Sequence, residues 1–189
     1  YQISTVIPKA RAEDYIELIS EMEKSKTVNI SHHCDDPNVG LGSTEDLLRY
    51  KMFVGDTGLF VTLAFRDKAF TENVIYERLL SDKLATNLGY LYENIVAQML
   101  KASGNKLFYH AWPTESRKHN YEVDFLLSRG TKILPVEVKS SSYKTHASLD
   151  AFCKKFSSRI TNERFLIYTK DYAHEKSVKY LPAYMAYFL

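Results

Sequence analysis

At 189 residues the chain can bury a proper core as one sizeable domain or two small ones, and its 45% apolar, 25% charged and 13% aromatic content is that of a soluble globule. No run of about 18 apolar residues is present to span a membrane, no charged-then-apolar leader is visible, and two cysteines, Cys34 and Cys153, are too few for a disulfide framework, so a reducing cytoplasmic setting is expected. The net charge of +2 is unevenly spread: from Thr131 onward ten Lys/Arg face five Asp/Glu, a basic third compatible with a polyanionic ligand and equally with a solvated, Lys-rich surface.

The chain opens on Tyr1 rather than Met, as a fragment of a longer protein would. Apolar residues at Ala12, Tyr15, Ile16, Ile19 and Met22 have helical spacing. The stretch SHHCDDPNVGLGSTED then reads as a polar connection punctuated by Pro37, Gly40 and Gly42. Its His32-His33-Cys34 run has metal-ligand chemistry, but no second cluster completes a zinc site, and a surface loop is the plainer reading. Tyr50 to Val54 is a short strand ending at a Gly-Asp-Thr-Gly turn, and Leu59 to Phe65 starts another helix.

Helical patterns occupy residues 71–81 and 82–102, the second ending before Gly104. Lys106 to Trp112 is a strand candidate, and Trp112 with Tyr109 and His110 is expected to pack against the sheet. Two further strands, Tyr121–Ser128 and Lys132–Ser140, form a hairpin. Ala147–Ser158 is helical, Arg164–Thr169 is a buried strand, and a short apolar helix follows Pro182. From residue 82 the order is helix, three strands, helix, strand, which predicts an α/β sheet.

The hairpin carries ionisable residues inside apolar strands, which is costly unless they are paired, solvated or bound to a cation. Strict alternation puts Tyr121, Val123, Phe125 and Leu127 on one face of the first strand and Glu122, Asp124 and Leu126 on the other. In the second strand Ile133, Pro135, Glu137 and Lys139 share a face, and Pro135, lacking a ladder donor, suits a bulge or a place near an edge. With Arg129-Gly130 as a two-residue loop, Asp124 faces Pro135 and lies diagonal to Glu137, roughly 7–8 Å apart at Cα.

Two carboxylates so placed repel unless a cation intervenes, and hard oxygen ligands suit Mg²⁺ or Mn²⁺. Such an ion would activate water and polarise a phosphoryl oxygen, while the Lys139 ammonium would stabilise charge developing on the phosphate. The reaction class is metal-assisted phosphodiester hydrolysis. The bland reading of the same spacing is a solvated sheet face.

At Asp124 and Glu137-Val138-Lys139, preceded by a helix carrying Glu93, the chain resembles the PD-(D/E)XK nuclease superfamily. More narrowly, KMFVGDTGLF, GYLYENIVAQML, YEVDFLLSRGTKILPVEVKSS and YLPAYMAYFL are similar to the C-terminal region of a large prokaryotic family of AAA-type ATPases. That region is a domain of unknown function following a P-loop ATPase and a winged helix; no G-x-x-x-x-G-K-[ST] loop occurs in this chain.

The resemblance implies a PD-(D/E)XK restriction-endonuclease-like core over residues 71–189, preceded over 1–70 by a partial winged-helix and linker segment. It makes Asp124 and Glu137 the ligands of Mg²⁺ or Mn²⁺ with the Val138 carbonyl, Lys139 the catalytic lysine and Glu93 an auxiliary carboxylate. Lys154, Lys155 and Arg159 would meet a phosphate backbone, or else form the wet side of an amphipathic helix. The partners implied are nucleic acid and the ATPase domain of the same full-length chain. The helix RAEDYIELISEMEK is too acidic for groove insertion, which favours a protein contact. The alternative function is therefore a catalytically inactive module that regulates or oligomerises the ATPase, or binds a protein partner.

Overall fold

The structure, a computed structural model, describes residues 7–65 and 89–189. The predicted helix over 71–81, the start of the one over 82–102 and the proposed boundary at 70–71 lie outside the described residues.

A 3₁₀ turn (Ala12–Tyr15) leads into α1 (Ile16–Lys24), followed by β1 (Val28–Cys34), β2 (Glu45–Val54) and α2 (Thr57–Phe65). The second half runs α3 (Gly89–Ala102), β3 (Leu107–Pro113), β4 (Asn120–Arg129), β5 (Lys132–Val138), α4 (Ala147–Lys155), β6 (Arg164–Tyr168), β7 (Ala173–Glu175) and β8 (Val178–Pro182). From α3 to β6 the order is helix, three strands, helix, strand, as the hydrophobic pattern predicts.

The fold is mixed α/β. Among the described residues eight strands form one sheet in the order β2-β1-β3-β4-β5-β6-β8-β7, parallel at β1–β3, β5–β6 and β6–β8 and antiparallel elsewhere. On one face Val96, Ala97 and Leu100 of α3 pack against Phe53, Phe125, Leu127, Leu134, Val136 and Ile167. On the other, Phe152 of α4 and Phe156 just beyond it cover Phe108, Val123, Leu126 and Ile133. These two apolar layers drive the fold; each fully buried Leu or Phe contributes on the order of 2 kcal/mol.

Two expectations need correction. The stretch read as a connection begins inside β1, which runs from Val28 to Cys34 and is buried at every position but His32. Its polar residues hid it: Ser31 and His33 are buried inside the sheet, where the His33 ring bonds Asp35 at 3.0 Å and the backbone of Ala111 at 3.1–3.2 Å. Pro135 lies in a central strand rather than near an edge. It falls in the gap between the Ile133–Ile160 bridge and the β6 pairing that starts at Val136. The segment after Pro182 is helical as expected, a 3₁₀ helix over Ala183–Phe188, while the strands β7 and β8 before it are additions to the predicted order.

The hairpin register also differs from the expected one. Arg129 pairs with Lys132 and Phe125 with Val136, so the loop is Gly130-Thr131. Gly130 takes the left-handed conformation at φ 59°, which a glycine adopts without a Cβ penalty. Every pair slides by two residues, and the ladder continued by one step sets Asp124 against Glu137 instead of Pro135.

Candidate functional site

A bulge aims the key carboxylate. Phe108 pairs with Leu126 and His110 with Val123, so two steps along β3 face three along β4. The extra residue breaks the alternation: Val123 joins Leu126 on the α4 face, while Phe125 and Leu127 pack under α3. Asp124, inside the bulge, meets the elements of the α3 side. Its Oδ2 accepts the Val138 backbone N–H at 2.8 Å, and its Oδ1 lies 3.3 Å from Nζ of Lys51 on β2.

Lys51 is the residue that reasoning from the hairpin missed. Its ammonium stands among three carboxylates, 2.6 Å from Glu122, 3.3 Å from Asp124 and 3.5 Å from Glu93. Burial alone would lower its pKa, but Asp124, Glu122 and Glu93 outweigh that and hold it above the ordinary lysine value. The local signal was there: Lys51 lies two residues before Phe53 on one strand, and Phe53 belongs to the α3-face core. A lysine in register with a buried aromatic requires a partner.

The clamp that fixes β2 against α3 involves Asn94, next to Glu93. Asn94 Oδ1 accepts the Val54 N–H at 2.8 Å, and its Nδ2 donates to Val54 O and to Thr57 Oγ1, each at 3.1 Å. One turn further, Gln98 Oε1 accepts from Thr57 N and Oγ1. Glu93 is thereby held against Lys51. Burial and the Asp124 charge, opposed by Lys51, raise the Glu93 pKa to about 7.

Glu137 is 3% exposed. Its Oε1 pairs with Lys139 Nζ at 3.0 Å, and its Oε2 is buried with no hydrogen-bond partner among the described residues. Burial and the Asp124 charge, opposed by Lys139, push its pKa to about 8. Lys139 is held above its usual value because the Glu137 carboxylate outweighs the effect of burial. Glu93, Val138, Lys139, Ser140 and Thr145 line a cleft of about 430 Å³ at the end of β5.

The structure thus brings together Asp124, Glu93 and Lys51, and places Glu137, Val138 and Lys139 beside them. Among the described residues no group of three or more His, Cys, Asp or Glu is placed to hold a metal ion. A hard divalent cation needs fewer: one or two carboxylates with waters and phosphate oxygens suffice for Mg²⁺. The orphaned Glu137 Oε2 is the feature that fits one, since an uncompensated buried carboxylate oxygen is costly.

The three candidate phosphate contacts are elsewhere. Lys154 and Lys155 end α4, and Lys155 Nζ sits over the Trp112 and Phe156 rings at 5.5 and 5.1 Å. Arg159 bonds Asp36 and, at 3.0 Å, Pro37 O, while its backbone carbonyl accepts from Ile133, near the opposite end of β5 from Glu137. Arg159 is engaged in joining the loop after β1 to the end of α4. His110 also packs as expected, stacked on Trp112 with ring centroids 5.1 Å apart. No helix of the described residues is long and apolar enough to cross a membrane.

Comparison with known proteins gives one family: the "Domain of unknown function (DUF4143)" matches residues 88–185. No curated protein matches the chain. Among solved structures, a similar chain comes from the refined half-complex of a tetradecameric assembly of Thermococcus gammatolerans McrB AAA+ hexamers with bound McrC. The identity is 9% and the TM-score 0.34, with 93% of this chain and 64% of that chain covered, a likeness too slight to carry an argument.

Proposed function

We propose, for a chain that belongs to the DUF4143 family of domains of unknown function, that Asp124 and Glu137, beside the cleft at the end of β5, form a divalent-metal phosphodiester-hydrolysis site acting on nucleic acid. The observation that carries this reading is Glu137, buried with one oxygen unpartnered, across from Asp124 on the neighbouring strand and 3.0 Å from the Lys139 ammonium. In this reading residues 89–168 are the core of a PD-(D/E)XK nuclease-like domain, and the full-length protein carries an AAA-type ATPase ahead of it.

Asp124 and Glu137, with the Val138 carbonyl, would hold Mg²⁺ or Mn²⁺. When bound, such an ion lowers the pKa of water and draws charge from a phosphoryl oxygen. Lys139, half-buried at the cleft, places a donor where phosphate charge develops. Glu93, with its pKa near 7, can hold or release a proton close to neutrality.

A second reading is an interaction module without catalysis, regulating the ATPase or docking a protein partner. The observation favouring it is Lys51, whose ammonium already pairs with Asp124, Glu122 and Glu93. Nicking of supercoiled plasmid and of single-stranded DNA with Mg²⁺ or Mn²⁺ separates the two. Wild type should cleave, and Asp124→Ala and Glu137→Ala should each lose at least a hundred-fold. Equal activity in all three proteins would remove the hydrolytic reading.

A further inference from the structure

Asp124 has two oxygens, and both are engaged. Oδ2 accepts the Val138 N–H at 2.8 Å, a bond inside the sheet that leaves this oxygen little freedom. Oδ1 is thus the oxygen open to a cation, and Lys51 Nζ stands 3.3 Å from it. Lys51 reaches this place from β2, far away in sequence, and it stays there because Asn94 clamps the end of β2 to α3. A second cation at the same oxygen would be repelled by the ammonium at close range and low dielectric.

We infer that Lys51 is the resident counter-cation of this carboxylate cluster, and that a divalent ion binds by displacing its ammonium from Asp124 towards Glu122. This deepens the hydrolytic reading and rests on it. Glu122 supplies the destination. It is the nearest of the three carboxylates to Nζ, at 2.6 Å, and its side chain is 43% exposed, so an ammonium that follows it moves towards the wet rim. Glu93 and Asp124, at 21% and 11%, are the less exposed partners left behind. Three carboxylates around one ammonium also leave the cluster short of positive charge, so an arriving divalent ion is attracted even while Lys51 occupies its place. The arrangement lets the protein fold without metal and sets a threshold concentration below which the cleft stays closed to the ion.

The test is calorimetric titration of Mn²⁺ into the metal-free chain, compared across Lys51→Met, Lys51→Arg, Lys106→Met and Glu137→Ala. Lys51→Met should bind Mn²⁺ at least ten-fold more tightly than wild type, while Lys51→Arg, which keeps the cation, binds no more tightly. Lys106→Met, the loss of an exposed charge paired with Glu45, should leave the affinity unchanged. Glu137→Ala should abolish binding. A wild type that binds through Glu137 with Lys51→Met no tighter overturns the competition and leaves the metal site standing. No binding heat in either overturns both. If Lys51→Met does not fold without metal, its melting curve is the readout: a cooperative transition restored by Mn²⁺ supports displacement, and no restoration at millimolar Mn²⁺ overturns it.

Discussion

The Val138 N–H donates to Oδ2 of Asp124 across 2.8 Å, tying β5 to β4 just past the last ladder pair, Phe125–Val136. The same carboxylate therefore closes the sheet and faces Lys51. Its two roles separate by substitution. Asp124→Ala leaves a buried N–H unsatisfied and should cost about 1–3 kcal/mol in urea unfolding. Asp124→Asn keeps an acceptor for Val138 and should cost about half as much, yet lose Mn²⁺ binding as fully. If the two variants unfold alike, the hydrogen bond does not hold the strands together.

The titratable groups of the molecule pull its pH dependence in opposite directions. Glu137, with a folded pKa near 8, binds its proton more tightly when folded. Its contribution is full below the unfolded value of about 4.3 and is lost as pH rises through 8. Metal-free Glu137→Gln should accordingly gain stability over wild type as pH rises from 5 to about 9, on the order of 1 kcal/mol or more. Added Mn²⁺ should reverse the order, because it compensates the carboxylate and not the amide.

His110 has the other sign. Burial, against the pull of its bond to the Cys34 carbonyl, lowers its pKa to about 4. Since a carbonyl only accepts, Nδ1 carries the proton, and Nε2 is the buried atom without a partner among the described residues. Folding excludes the second proton, so stability is full above about 6.5 and falls by about 3 kcal/mol as pH drops through 4. The difference in unfolding free energy between wild type and His110→Gln, followed from pH 7.5 to 4, should narrow towards acid. A constant difference would mean that the ring charges inside the fold without penalty.

How much of this was legible in the sequence depends on how local each signal is. Helix α3, the hairpin and β6 announce themselves through their own periodicity, and the hairpin brings Asp124 near Glu137, but strict alternation puts Asp124 on the side of Leu126, whereas it meets the elements of the α3 side. The register needed the turn chemistry: Arg129-Gly130 and Gly130-Thr131 are both plausible two-residue loops, and Gly130 in the first position decided the matter. The bulge at Asp124 follows from pairing with β3 and leaves no trace in β4 itself. Strand β1 was hidden because its buried positions include Asn29, Ser31 and His33. Lys51 could not be assigned to the site at all until β2 was known to lie against α3, since the contact is set by tertiary packing.

Gly55 tests that packing from the turn after β2. Its N–H donates to Thr27 O at 2.8 Å, and a Cβ built on it would stand 2.1 Å from the backbone oxygen of Lys26. Backbone cannot yield as a side-chain tip can. Gly55→Ala should therefore cost about 1–3 kcal/mol. Gly104→Ala is the contrasting case, with φ +91° but nothing within 4 Å of the added Cβ, so that only the backbone conformation opposes it, by about 1 kcal/mol. Thermal melting of the two variants should rank them in that order.

Asn94 joins β2 to α3. It is 2% exposed and satisfies both backbone polar groups of Val54 and the hydroxyl of Thr57, so it fixes the strand that carries Lys51 to the helix that carries Glu93. Asn94→Leu keeps the branching of the side chain, with bulkier methyl groups and no polar atoms. It strands the Val54 N–H and C=O in an apolar setting and should cost about 2–4 kcal/mol, each orphaned group contributing the loss of one buried hydrogen bond. Beyond stability, it should loosen β2 from α3 and let the Lys51 ammonium leave Asp124. Mn²⁺ affinity should then rise towards that of Lys51→Met even as the melting temperature falls. A variant less stable and also weaker in Mn²⁺ binding would mean that the clamp positions the carboxylates rather than the lysine.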